Sequence, residues 1–98
     1  MSSVWILTHG EYSDTVTHGV FATLEQAKAE IRVYKGACIA GTAKNASNDR
    51  WTAEEWPIGI PGTWISSVEY TLGLRYEYNP SGGYRWVSSG DIREVRRL

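Results

Sequence analysis

The sequence predicts an α+β fold in which a single helix packs on a four- to five-stranded antiparallel sheet, in the order ββα-loop-βββ. Three observations carry this expectation. Two β-rich segments with strand-like alternation open the chain, one well-capped amphipathic stretch follows them, and a Pro-Ser-Gly-Gly turn joins two alternating segments near the end. One helix covering one face of an antiparallel sheet is the economical way to bury both apolar surfaces.

The first strand is expected over residues 3–9. Val4, Ile6 and Thr8 fall on one face, and Trp5, Leu7 and His9 on the other. Gly10, Ser13 and Asp14 mark a turn, and residues 15–22 are again rich in β formers, which predicts a hairpin. Thr23-Leu24-Glu25-Gln26 has the form of a capping box, with Thr23 and Gln26 placed to satisfy each other's amides. Leu24, Ala27, Ile31 and Tyr34 recur at intervals of three, four and three, so a helix is expected over 24–35 with Gly36 as its stop. Glu25, Lys28, Arg32 and Lys35 lie off that stripe.

Residues 36–50 have loop composition, although fifteen residues is long for a connection and leaves room for another helical turn. Over 50–64, Pro57 and Pro61 with Gly59 and Gly62 argue against both helix and central strand, which predicts an ordered irregular loop. Strand composition returns over 64–70. Leu74-Arg75-Tyr76-Glu77-Tyr78 and Tyr84-Arg85-Trp86-Val87-Ser88 flank the Asn79-Pro80-Ser81-Gly82-Gly83 turn and read as a hairpin. Residues 91–98 read as a last edge strand.

The chain of 98 residues is most simply one domain. Its hydrophobic fraction of 42 % and mean hydropathy of −0.35 suit a soluble globular protein without a membrane span. A single Cys38, no basic leader and no long apolar stretch make the cytoplasm the expected compartment. Residues 1–70 carry a charge balance of −3 and residues 71–98 one of +2. That asymmetry is far milder than a protein held by many phosphate contacts requires, which disfavours nucleic acid as the main partner.

Catalytic signatures are missing. There is no phosphate-binding glycine loop, no nucleophile elbow and no evident carboxylate pair, so no enzyme, cofactor or metal is expected. His9 and His18 can face each other across the first hairpin, but their spacing matches no established metal pattern. A small enzyme or ligand binder there is the third reading. Cys38 lies among small apolar neighbours past a helix end, which suits an inert buried thiol.

Aromatic usage is more informative. Five Trp and six Tyr stand against one Phe, so nearly every aromatic ring carries a polar handle suited to interface anchoring. Trp5, Tyr76 and Trp86 are expected in the core. Trp51, Trp56 and Trp64 lie in or beside the Pro/Gly-rich stretch and are the candidate protein-binding residues. Arg75, Arg85, Arg93, Arg96 and Arg97 form the alternative, a basic strip for nucleic acid, interrupted by Glu77, Asp91 and Glu94.

Val4-Trp5-Ile6-Leu7-Thr8-His9-Gly10-Glu11-Tyr12-Ser13-Asp14, then Gly19-Val20-Phe21 and the capped helix, resembles small proteins encoded by bacteriophages and some actinobacteria. The resemblance covers residues 4–35. It implies an α+β fold and a phage or prophage origin, and brings no activity or functional residues with it. The leading expectation is a non-enzymatic accessory protein that binds a host or phage protein through the Trp-rich loop or a sheet edge. A homodimer formed through the same surfaces stands beside it.

Overall fold

A computed structural model describes residues 2–10, 15–43 and 50–98. The turn at residues 11–14, and residues 44–49 of the expected loop, lie outside the described residues. The elements are β1 (Ser3–His9), β2 (Val16–Phe21), α1 (Leu24–Ala40), β3 (Trp51–Pro57), β4 (Ser66–Thr71), β5 (Leu74–Asn79), β6 (Gly83–Ser88) and β7 (Arg93–Arg97). Five strands form one antiparallel sheet in the order β2-β1-β3-β4-β7, and β5 pairs with β6 as a separate two-stranded ribbon. The α+β fold with one helix on a five-stranded sheet is therefore the observed one, with a different set of strands from those expected.

Alternation decides which residues meet the helix. Leu7 pairs with Ala53, His9 with Trp51, Ala53 with Val68 and Trp51 with Tyr70, so these side chains share one face of the sheet. All but His9 are buried, together with Ala27, Ile31 and Cys38 of α1. Trp5 and Trp86 pack against this core as half-buried rings, as the sequence suggests. Gly19 lies on the same face, and a Cβ there would meet the Phe21 ring at 3.0 Å.

The capping box forms as expected. Gln26 N–H donates to Thr23 Oγ1 (3.2 Å), and Thr23 N–H donates to Gln26 Oε1 (3.3 Å). The helix does not stop at Gly36. It continues to Ala40 and ends at Gly41, whose left-handed φ of 76° lets its N–H reach the Cys38 carbonyl, while Thr42 N–H reaches that of Ala37. The buried stripe continues through Lys35 and Cys38, so packing overrides the weak helix preference of one exposed glycine.

The stretch expected to be an irregular loop over 50–64 contains the central strand β3. Pro57 is tolerated because it is the last strand residue, opposite Ser3; Ile58 N–H makes the next bond, to the Ser2 carbonyl. Only the connection from Ile58 to Ile65 is irregular. Glu55, on the helix-facing side, accepts from Ser3 Oγ (2.6 Å) and Ser66 Oγ (3.0 Å), which satisfies a carboxylate on an otherwise apolar face.

The ribbon is an insertion between two paired strands, β4 and β7. Gly73 makes its neck. Its carbonyl accepts from Ser89 N–H, its φ is 71°, and a Cβ there would fall 2.6 Å from the Asp91 carbonyl oxygen. The helix ties the same neck down: Arg32 pairs with Asp91 (3.1 Å), and the buried Lys35 ammonium donates to the Gly90 carbonyl. At the tip, Asn79 Oδ1 accepts from Ser81 N–H and Oγ, and Gly83 takes φ 78°.

Candidate binding surfaces

The three candidate tryptophans part company. Trp51 is fully buried between Leu7, Ala53 and the helix, which removes it from any docking surface and corrects its assignment as a partner-binding residue. Its position at the start of the central strand forces this. Trp56 lies on the opposite face of the same strand, paired with Val4, and Trp64 sits half-buried just before β4. Tyr76, expected in the core, is 59 % exposed, because it belongs to the ribbon and not to the sheet.

The sheet's second face carries no helix. Register puts Val4, Ile6 and Trp56 on it, with Val20 of β2 opposite Ile6. Val4, Ile6 and Trp56 are half-buried, and Val20 is 60 % exposed. These four form an apolar corner beside the sheet edge at β2. That edge is uncharged from Val16 to Phe21, whereas four of the five residues in the opposite edge strand, β7, are charged. Charges along an exposed strand deter pairing with another chain, so the two edges differ in kind.

The arginines do not converge. Arg75 lies opposite Val87 and Arg85 opposite Glu77, on the ribbon face away from the tyrosines. Arg75 is paired with Glu77 (3.1 Å). Arg97 binds both Glu94 oxygens (2.7 and 2.9 Å) and holds that carboxyl below its ordinary range. Arg96 lies in β7 opposite Glu69. Arg93 lines a cavity of about 200 Å³ at the ribbon neck with Thr71, Gly73, Leu74, Ser89 and Asp91. That is smaller than the roughly 300–1,000 Å³ usual for small-molecule sites.

The first hairpin does bring His9 and His18 together. A β-bulge between Leu7 and Thr8 turns His18 toward His9, and His9 Nδ1 and His18 Nε2 are in hydrogen-bond contact. Both rings lie on Trp51, His9 stacked at 4.6 Å and 15°, with Tyr34 beside them. Burial, then the neighbouring His9, lowers the His18 pKa. Among the described residues, no three His, Cys, Asp or Glu side chains are grouped to hold a metal ion. Cys38 is buried in the helix's last turn.

Two exposed surfaces are formed by residues other than the candidate tryptophans and arginines. One is the aromatic ribbon face, where Tyr78, Tyr84, Tyr76 and Trp86 run as a row with ring centroids 5.3, 5.2 and 4.6 Å apart. Its signal was the alternation that places Tyr76 and Tyr78 opposite Trp86 and Tyr84. The other is the β3–β4 connection, where Ile58, Ile60 and Ile65 are exposed. Among the described residues, no helix is long and apolar enough to cross a membrane. Comparison with protein-family models, with curated proteins and with solved structures finds no match for the chain.

Proposed function

We propose that the chain is a non-enzymatic accessory protein of the phage type, acting in the bacterial cytoplasm by docking a host or phage protein on the helix-free face of its sheet. The apolar corner of Val4, Ile6, Val20 and Trp56 beside the uncharged β2 edge carries this reading. An extended partner segment laid along β2 would find unpaired backbone groups for affinity and apolar side chains for specificity. The phage origin rests on the resemblance of residues 4–35.

The nucleic-acid alternative has less support, because Arg75 and Arg97 are already paired with carboxylates and Arg85 lies on the ribbon face opposite the aromatic row. The test is capture from an actinobacterial lysate, read by mass spectrometry, with Val20→Glu beside the wild type. Val20 is largely exposed, so its substitution leaves folding intact while placing a charge in the corner. A stoichiometric protein lost in the variant supports the reading. Equal capture by both removes it.

A further inference from the structure

Six of the twelve exposed large apolar side chains among the described residues belong to two patches: Tyr76, Tyr78 and Tyr84 on the ribbon, and Ile58, Ile60 and Ile65 in the β3–β4 connection. We propose that the occupant of each patch is the other patch on a second copy of this chain, in a closed two-fold dimer.

Topology places the patches for this. β4 runs from Ser66 to Thr71, with the isoleucine connection before it and the ribbon neck after it. The two patches therefore lie at opposite ends of a strand roughly 20 Å long. Two copies arranged antiparallel bring the ribbon of each over the connection of the other, and the two-fold axis makes both contacts at once.

Area selects this pairing over ribbon against ribbon. The tyrosines are 59, 61 and 64 % exposed and the isoleucines 48–54 %. Together they offer roughly 700 Å² per copy, so a symmetric pair covers about 1,400 Å², inside the range of stable interfaces. Ribbon against ribbon covers only about 800 Å², which is the size of a lattice contact.

Charge agrees. Residues 58–65 carry no charge, and neither does the tyrosine face. The charged side chains of the ribbon, Arg75, Glu77 and Arg85, lie on its other face, so the two patches meet without burying a charge.

The oligomeric state of the purified chain tests the proposal. Light scattering behind size exclusion at about 100 μM is expected to give twice the 11.0 kDa chain mass. Tyr84→Ser and Ile60→Glu, each at an exposed position, are each expected to weaken the dimer at least tenfold with unchanged circular dichroism. Mixing the two variants restores one intact ribbon–connection contact, so a heterodimer is expected where neither variant pairs alone. Tyr78→Ser replaces Tyr84→Ser if the latter fails to fold. A monomer at that concentration, growth into open chains, a dimer unaffected by either variant, or no rescue on mixing overturns the proposal. Val20→Glu leaves the dimer unchanged, so this test and that of the docking face fail separately.

Discussion

Trp51→Ala is expected to remove most of the protein's stability. The ring is fully buried, carries His9 and His18 on its surface and touches Tyr34 at 5.0 Å. Truncating a buried tryptophan costs about 3–5 kcal/mol, the lost transfer energy plus the cavity left behind. A 98-residue domain has about 5–15 kcal/mol in all. Trp51→Phe separates packing from polarity. The indole Nε1 is buried and finds no hydrogen-bond partner among the described residues, so deleting it recovers about 1–3 kcal/mol of desolvation. The smaller ring leaves a void of about 40 Å³, which at 24 cal/mol per Å³ costs about 1 kcal/mol, on top of the transfer energy of the lost carbons. The two nearly cancel, and Trp51→Phe should fall within about 1 kcal/mol of wild type. Urea unfolding monitored by circular dichroism reads both variants. A loss below about 1 kcal/mol for Trp51→Ala would refute the burial argument. A loss as large for Phe as for Ala would show that the indole nitrogen has a partner.

Gly73→Ala should destabilise by at least about 2 kcal/mol, since a Cβ adds strain at positive φ to a 2.6 Å clash with backbone; a thermal midpoint within a degree of wild type would contradict this. Thr23→Ala removes the acceptor for Gln26 N–H and should cost about 1 kcal/mol, with Thr23→Ser recovering most of it. Burial, then the neighbouring His9, holds the His18 pKa below its usual 6.5, so His18 takes up a proton less readily in the folded chain than in the unfolded one. His18 should therefore leave stability unaffected above pH 6.5 and reduce it progressively as pH falls below that value. His18→Gln should flatten this part of the profile, and unfolding curves from pH 8 to pH 5 with no difference between the two proteins would exclude the effect.

The first half of the chain was readable because its signals are local. The alternation around Leu7, the Thr23–Gln26 box and the 24–34 stripe each depend on neighbours within a few residues, and each formed as expected. The errors all arose where tertiary context decides. Pro57 argues against a strand, but a proline costs a strand little at its last residue, and Trp51 and Ala53 at the other end of the strand are its buried residues. Gly36 reads as a stop locally, but Lys35 and Cys38 face the ribbon neck and the core and carry the helix past it. Alternation puts Tyr76 and Tyr78 on one face of their strand, but it does not tell whether anything covers that face, and the expected core position of Tyr76 is an exposed one. Insertion of β5 and β6 between β4 and β7 is a long-range pairing choice with no local signature. The same gap explains the tryptophans: composition marks all three as candidates, and only the pairing of 51–57 as a strand, whose alternation turns Trp51 toward the helix and Trp56 away from it, separates the two.

The docking face is tested most directly by capture from lysate with three proteins side by side: wild type, Val20→Glu on the sheet corner and Arg85→Glu on the ribbon. Thermal midpoints confirm that each is folded. Docking on the helix-free face predicts one stoichiometric protein held by the wild type and by Arg85→Glu, resistant to salt and lost with Val20→Glu. Retention by Val20→Glu, or capture that Arg85→Glu and high salt both abolish, would contradict it and move the function to the arginines.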